Sequence, residues 1–264
     1  MGERGTSRSR RRLLPDVTDQ RGLVRTAPAH RRVRTFLGGE AVVDTIDALY
    51  VWEGPHYPQW YVPLSDVTDG AFVPTGTETH SPSRGRASHY TVKAGGKEAV
   101  DAAWRYADSP IEELRDRVRI DWSAMDAWFE EDEEAIIHPR DPAARIAILP
   151  SSRHVVVSVD GVVVADSTHP TFLHETGLPM RTYLPKVDVR MDLLTPTDTR
   201  TGCPYKGWAE YWTLHLPDGG EHRDVAWSYP TPLRESHPVA GLVAFYEDHV
   251  DVTIDGVAQP RRTR

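Results

Sequence analysis

Short apolar runs separated by turn residues make up most of the hydrophobic pattern of this chain. Residues 154–159 and 162–165 (HVVVSV and VVVA) are β-branched runs on either side of Asp160-Gly161, which is typical of a β-hairpin. Residues 209–216 (AEYWTLHL) alternate small or polar with apolar side chains and precede the turn sequence Pro-Asp-Gly-Gly. Further apolar runs at 242–246 and 250–254 predict two more strands. The pattern therefore predicts a mainly β protein.

Helix signals are few and short. Residues 110–117 begin with a proline that is followed by acidic residues, which is typical of a helix start, and residues 232–241 are the candidate counterpart. The 21 prolines and 19 glycines are spread over both halves of the chain and exclude long helices. We expect only a few short helices.

The pattern repeats at an offset of 122 positions. Residues 31–92 align with 153–214 without a gap, and 18 of the 62 pairs are identical, among them Glu53/Glu175 and Tyr61/Tyr183. After one inserted residue the alignment resumes and places Trp122 opposite Phe245. This self-similarity predicts two tandem small β domains with the same strand order, related by an approximate twofold axis.

The repeat also sets the predicted domain boundaries. The first domain is expected at residues 30–145 and the second at 146–258, with a disordered basic tail at 1–29 and a short tail at 259–264. The connector between the repeats, residues 136–142, is short and rich in proline, so we expect the domains to pack together. The acidic residues 130–134 precede it. Adjacent strand residues point to opposite faces, so these five are expected to form a solvated face rather than a metal site.

Charge and composition narrow the possible partners. Residues 1–34 hold ten arginines and three acidic residues, while the whole chain carries a net charge of −8, so the body is strongly acidic. An acidic body repels phosphate backbones, and we therefore expect no nucleic-acid partner. No apolar run is long enough to span a membrane, and no secretory signal is predicted. The single cysteine, Cys203, fits a reducing compartment, which predicts a cytoplasmic protein.

The densest group of chemically useful residues is the segment 201–212 (TGCPYKGWAEYW). Desolvation of Lys206 by Tyr205, Trp208 and Tyr211 would suit it to act as a base or a nucleophile. The alternative is a turn with a surface lysine and a buried Cys203.

Aromatic residues form a second group in the same repeat. Trp227 and Tyr229 are two positions apart and so lie on one sheet face if both belong to a strand. They either fill the core or line a pocket with polar anchors. The candidate catalytic residues are Lys206, Glu175 and Tyr205. The candidate ligand-binding residues are Cys203, Tyr183, His174, Trp208, Tyr211, Trp227 and Tyr229.

No metal or cofactor is expected. One cysteine cannot supply the paired ligands of a structural zinc site, and the chain has neither a GxSxG nucleophile elbow nor a P-loop. A catalytic three-ligand site built from scattered histidines and acids stays open.

Four segments carry a family resemblance. The strings CPYKG at 203–207, AWSYP at 226–230, VAFY at 243–246 and YLPKVDVRMDLL at 183–194 resemble signature segments of the DUF427 family, in its two-domain actinobacterial form. The resemblance implies a compact β domain similar to the Mss4-like β-complex folds. The family has been labelled nucleotidyltransferase-like, but the chain shows no nucleotide-binding motif to match that label.

The two repeats differ at this signature. The first repeat has Ser81, Ser83 and Arg84 where the second has Cys203, Tyr205 and Lys206. We therefore expect a site in the second repeat or at the seam between the two. The leading hypothesis is a soluble protein that binds, or binds and transforms, a small organic molecule in an aromatic-lined pocket. The alternatives are a non-catalytic interaction or regulatory module and a nucleotide-acting enzyme.

Overall fold

The computed structural model describes residues 24–261, which form two β units. The first unit contains eleven strands: β1 (Arg25–Pro28), β2 (Val33–Leu37), β3 (Glu40–Thr45), β4 (Leu49–Trp52), β5 (Gln59–Pro63), β6 (Phe72–Ser81), β7 (Gly85–Ala94), β8 (Lys97–Arg105), β9 (Arg117–Ile120), β10 (Ala127–Glu130) and β11 (Glu133–Glu134). They form a seven-stranded sheet in the order β1-β4-β5-β9-β8-β7-β6 and a four-stranded sheet in the order β11-β10-β2-β3.

The second unit repeats this arrangement strand by strand. Its strands are β12 (Ile146–Pro150), β13 (Val155–Val159), β14 (Val162–Ser167), β15 (Thr171–Glu175), β16 (Arg181–Leu184), β17 (Leu194–Cys203), β18 (Gly207–His215), β19 (Glu221–Ser228), β20 (Val243–Phe245), β21 (Asp251–Ile254) and β22 (Val257–Ala258). Their order is β12-β15-β16-β20-β19-β18-β17 in one sheet and β14-β13-β21-β22 in the other. All pairs are antiparallel. The predicted tandem β architecture is confirmed, while the twofold axis stays a prediction.

Helical structure within residues 24–261 is limited to single 3₁₀ turns. The predicted segments at 110–117 and 232–241 contain turns at Glu112–Leu114 and Arg234–Val239. The others are short turns at Leu64–Asp66, Trp122–Ala124, Lys186–Asp188 and Met191–Leu193. Across the described chain, no helical segment has the length and apolar character that a bilayer crossing requires.

Each seven-stranded sheet buries both of its faces, which explains the high aromatic content. In the second unit, one face packs on the four-stranded sheet through residues such as Val155, Leu214 and Phe245. The other face carries Leu173, Tyr183, Ala209, Tyr211, Trp227, Tyr229 and Ala244, with Val239 of the 3₁₀ turn packed on it. Successive strand residues alternate between these faces, so Val243 and Phe245 face the inner core while Ala244 faces outward.

The first unit begins at Arg25, before the boundary that the repeat predicted at residue 30. Strand β1 pairs along its whole length with β4, from Arg25 opposite Trp52 to Pro28 opposite Leu49. The offset alignment missed this strand because Pro28 and Pro150 are the only identical pair within it. Residues 1–23 of the predicted basic tail and residues 262–264 lie outside the described part of the chain.

One residue of the acidic stretch departs from the predicted solvated face. Glu130 is only 3% exposed and forms ion pairs with Arg31 at 2.5 Å and Arg140 at 2.9 Å. The Tyr50 hydroxyl donates to it at 3.0 Å. Glu130 lies at the end of β10, which turns its side chain toward the core, whereas residues 131–134 are exposed as expected.

The connector contacts both units. The indole Nε1 of Trp52 in the first unit donates to the Asp141 carboxylate at 2.7 Å, and the backbone N–H of Asp141 donates to the Tyr205 hydroxyl of the second unit at 2.7 Å. The side chains of Ile136 and Ile137 lie so close to Gly202 that a Cβ there would meet each at 2.8 Å. The connector is therefore packed against the second unit.

Candidate functional site

A cavity of about 240 Å³ opens on the outer face of the seven-stranded sheet of the second unit. All of its lining residues belong to that unit, so the cavity does not lie at the seam between the units. The lining residues are Glu175, Leu178, Pro179, Arg181, Tyr183, Thr201, Lys206, Tyr211, Trp227, Tyr229 and Tyr246.

Strand alternation places these side chains on one face. Glu175 ends β15, Arg181 and Tyr183 alternate on β16, and Trp227 is paired with Tyr211 across β18 and β19. Side chains at every second position of a strand share a face. This spacing gathers one carboxylate, two cations and several rings from separate parts of the sequence around one cavity.

An ion pair forms the polar wall. The Lys206 ammonium donates to Glu175 Oε2 at 2.5 Å, and the two side chains are 11% and 9% exposed. Lys206 reaches this position from the turn between β17 and β18, which Gly207 closes at a φ of +96°. The sequence predicted a lysine desolvated by aromatic rings, and the structure shows this lysine as one half of a largely buried ion pair.

Aromatic rings form the opposite wall. Trp227 lies 4.5 Å from Tyr246 between ring centroids, and Tyr183 meets Trp227 edge-on at 6.3 Å. The Arg181 guanidinium lies over the Trp227 ring at 5.8 Å. Flat rings with a cation beside them can bind a planar ligand through its face and anchor a charged substituent at its edge.

Hydroxyl groups connect this cavity to a second, shallower one. The hydroxyls of Thr201 and Tyr211 are 2.7 Å apart, and those of Tyr211 and Tyr246 are 3.3 Å apart. The same three residues line a neighbouring cavity of about 280 Å³, on whose far side lie Arg223 and Asp224. The two cavities therefore share one polar partition.

Burial keeps three tyrosines of this region protonated by raising the pKa of each. Desolvation raises the pKa of Tyr183 and of Tyr229 far above the ordinary value of a phenol. Desolvation also raises the pKa of Tyr205, to about 12, partly offset by the hydrogen bond from the Asp141 backbone. At neutral pH these phenols are therefore neutral groups rather than phenolate bases.

Most of the predicted site residues meet at the cavity. Its lining includes six of them, namely Glu175, Tyr183, Lys206, Tyr211, Trp227 and Tyr229. Cys203 does not line it but is partly buried and packs against the same aromatic cluster.

The structure places the other three predicted residues elsewhere. His174 is exposed on the strand face opposite Glu175, because neighbouring strand residues point in opposite directions. Trp208 is 47% exposed and faces away from Tyr211 for the same reason. Tyr205 accepts its hydrogen bond from the connector, at Asp141. These three residues do not line the cavity.

The first unit has a guanidinium at the corresponding place. Tyr61 and Tyr183 are equivalent at the offset of 122. The strand partner of Tyr61 is Arg119, and the strand partner of Tyr183 is Ala244. Arg119 and Ala244 therefore occupy equivalent positions. The Arg119 guanidinium lies over the Trp104 ring at 4.7 Å and forms an ion pair with Glu53. In the second unit the equivalent position carries only a methyl group.

The sequence alignment missed this exchange. The alignment placed Trp122 opposite Phe245, at an offset of 123. In the sheets, Ile120 is the strand partner of Ala103 and Phe245 is the strand partner of Ala226. Ile120 and Phe245 are therefore the equivalent residues, at an offset of 125. A length difference in the preceding loop shifts the register by two, and the single identical pair in this strand, Val118 and Val243, is too little to reveal it.

No metal centre forms in the described part of the chain. Among residues 24–261, no three histidine, cysteine, aspartate or glutamate side chains come together in an arrangement that could hold an ion. Glu175 is committed to Lys206 instead.

Comparison with known protein families identifies both units. The sequence model of a family described as a domain of unknown function, DUF427, matches residues 25–131 and again residues 147–256. Each match begins with the first strand of its unit to within one residue, so the family domain corresponds to the two-sheet unit. Comparison with curated proteins returns no match.

Proposed function

We propose that this chain, which belongs to the DUF427 family, binds a small organic molecule in the cavity of its second unit. The observation that carries the proposal is the exchange between Arg119 and Ala244. In the first unit a guanidinium lies between the tryptophan ring and the glutamate. In the second unit the equivalent residues Trp227 and Glu175 both line the cavity, and Ala244 places no guanidinium between them. A second unit that served only as structure would gain stability from filling that space.

The cavity suits a molecule with a single ring. Its volume of about 240 Å³ exceeds the roughly 150 Å³ of an engineered cavity that holds benzene. It falls below the roughly 300 Å³ at which pockets for drug-sized ligands begin. The aromatic wall of Trp227 and Tyr246 would contact the face of the ring, while Lys206 and Thr201 offer polar contacts at its edge.

The polar wall also has the groups for proton transfer. Lys206 and Glu175 are a donor and an acceptor 2.5 Å apart beside the cavity. A bound molecule that separated them could exchange a proton with either group. A chemical transformation at this site would therefore draw on these two residues.

The first test fills the cavity from within. A set of single-ring fragments is screened by ligand-observed NMR against the natural chain and against Ala244→Arg, which imitates the first unit. We expect the natural chain to bind fragments and Ala244→Arg to lose at least about 90% of the saturation-transfer signal, since the guanidinium would occupy the space beside Trp227. Arg119→Ala is the matched control in the first unit and should leave the signals unchanged.

A milder variant at the same position tests whether a loss of binding by Ala244→Arg comes from misfolding. Ala244→Met fills part of the cavity with apolar atoms and should weaken binding while the urea midpoint stays near that of the natural chain. Binding that survives both substitutions would place the ligand elsewhere. No fragment binding to the natural chain would contradict the proposal and favour an interaction module.

A further inference from the structure

Among the described residues, Arg181 has no acidic partner at the cavity wall. Its guanidinium contacts the Trp227 ring at 5.8 Å and lines the cavity, but it forms no ion pair with any described residue. Arg119, which lies over the equivalent ring of the first unit, contacts Glu53, a carboxylate that it shares with Arg84. A partly buried guanidinium that lacks a carboxylate attracts an anion.

The other charges of the cavity do not compensate Arg181. Glu175 lies within 2.5 Å of Lys206, so its charge is already balanced. The cavity therefore carries one excess positive charge from Arg181, and a bound anion would balance it. A bound cation would instead add a third positive charge to a space with a single carboxylate.

The first unit shows that Arg181 is a feature of the second unit alone. The offset of 122 places Gln59 opposite Arg181, with both residues at the start of equivalent strands. The second unit thus has Ala244 where the first unit has the partly buried Arg119, and it carries an arginine at the cavity wall instead.

We infer that the molecule bound in this cavity is a small planar organic acid, whose carboxylate pairs with Arg181 and whose flat body lies against Trp227. The inference rests on the proposed function and names its ligand class. The neighbouring hydroxyls of Thr201 and Tyr211 support it, because one donates to the other and the second can donate its own proton to a carboxylate oxygen.

Three probes of nearly equal shape separate charge from fit. Benzoate, benzamide and benzamidine share one ring and one planar substituent and carry a charge of about −1, 0 and +1 at neutral pH. Each is titrated into the full chain at millimolar concentration, with line broadening and chemical shift followed by NMR. We expect benzoate to bind at least about tenfold more tightly than benzamide, and benzamidine to bind most weakly.

Two variants assign the preference to Arg181. Arg181→Gln introduces the residue of the first unit and should remove the tenfold advantage of benzoate while leaving benzamide binding in place. Arg153→Gln removes the same charge from a guanidinium that lies over Phe172 and is paired with Asp255, outside the cavity. This control should keep the preference for benzoate.

The outcomes distinguish the two levels of inference. Equal binding of all three probes, or preference for benzamidine, would overturn the acid and leave the cavity as a binding site. A benzoate preference that survives Arg181→Gln would overturn the role of Arg181. If none of the probes binds the natural chain, the inference fails. The fragment screen on the natural chain and Ala244→Arg then shows whether the proposed binding site fails with it.

Discussion

At the scale of single residues, Lys206 and Glu175 are coupled more strongly than their sequence context indicates. A lysine in a glycine-bounded turn is ordinarily solvated, and its removal costs little. Here both side chains are at least about nine-tenths buried and lie 2.5 Å apart. Removing one partner of such a pair leaves the other charge without compensation in a region of low dielectric constant.

Lys206→Met should therefore destabilise the fold as well as alter the site. We expect the free energy of unfolding to fall by about 3 kcal/mol, the typical cost of breaking a buried ion pair. The double variant Lys206→Met/Glu175→Met removes both charges and should recover most of that loss. Urea denaturation followed by tryptophan fluorescence measures both effects.

An exposed pair of the same unit supplies the control. Arg190 and Asp192 form an ion pair at 2.6 Å, but their side chains are 52% and 60% exposed. Arg190→Met should leave the urea midpoint unchanged, because solvent screens exposed pairs. If Lys206→Met behaved like Arg190→Met, the Lys206–Glu175 pair would be no more than a surface contact.

At the scale of strands, the sequence predicted the features that the two units share and missed a residue at which they differ. The offset of 122, the Asp-Gly hairpin and the alternating run at 209–216 gave the tandem β units and six of the cavity residues. The exchange of Arg119 for Ala244 was hidden, because it lies after a loop of different length in each unit and only strand pairing fixes the register. The faces of His174 and Trp208 likewise follow from strand register rather than from proximity in sequence.

Strand β1 gives a test of the revised boundary. A chain that starts at residue 24 keeps this edge strand, whereas a chain that starts at residue 30 loses its pairing with β4 and the stacking of Arg25 over Trp52 at 3.9 Å. We expect the shorter chain to melt on the order of 5 °C lower, as a loss of about 2 kcal/mol in a chain of this size would give. Differential scanning calorimetry compares the two. Equal melting temperatures would show that β1 adds no stability.

At the scale of the whole molecule, the two units have the same fold but differ on the outer face of the seven-stranded sheet. The first unit fills the outer face of its sheet with Arg119 and supports the connector, where Trp52 holds Asp141. The second unit has a cavity on the outer face of its sheet, and the connector packs behind the turn that carries Lys206, through Tyr205 and Gly202. Through the connector, the first unit therefore supports the turn of the second unit that carries Lys206.

The buried phenols give the molecule a predictable response to alkali. Burial raises the pKa of five tyrosines above the ordinary value near 10, namely Tyr50, Tyr61, Tyr183, Tyr205 and Tyr229. Each binds its proton more tightly in the folded chain than in the unfolded chain. Stability from this source is therefore fully present below about pH 10 and is lost as the pH rises toward the folded-state pKa values.

We expect the free energy of unfolding to fall with a slope of up to about 1.4 kcal/mol per pH unit for each such tyrosine above pH 10. Tyr229→Phe removes one titrating group from the aromatic cluster and should reduce the slope by up to that amount. Urea denaturation at half-unit steps from pH 8 to 11.5 measures both chains. Identical slopes for Tyr229→Phe and the natural chain would mean that the Tyr229 phenol ionises as readily in the folded chain as in the unfolded one, and that solvent reaches the outer face of the second sheet.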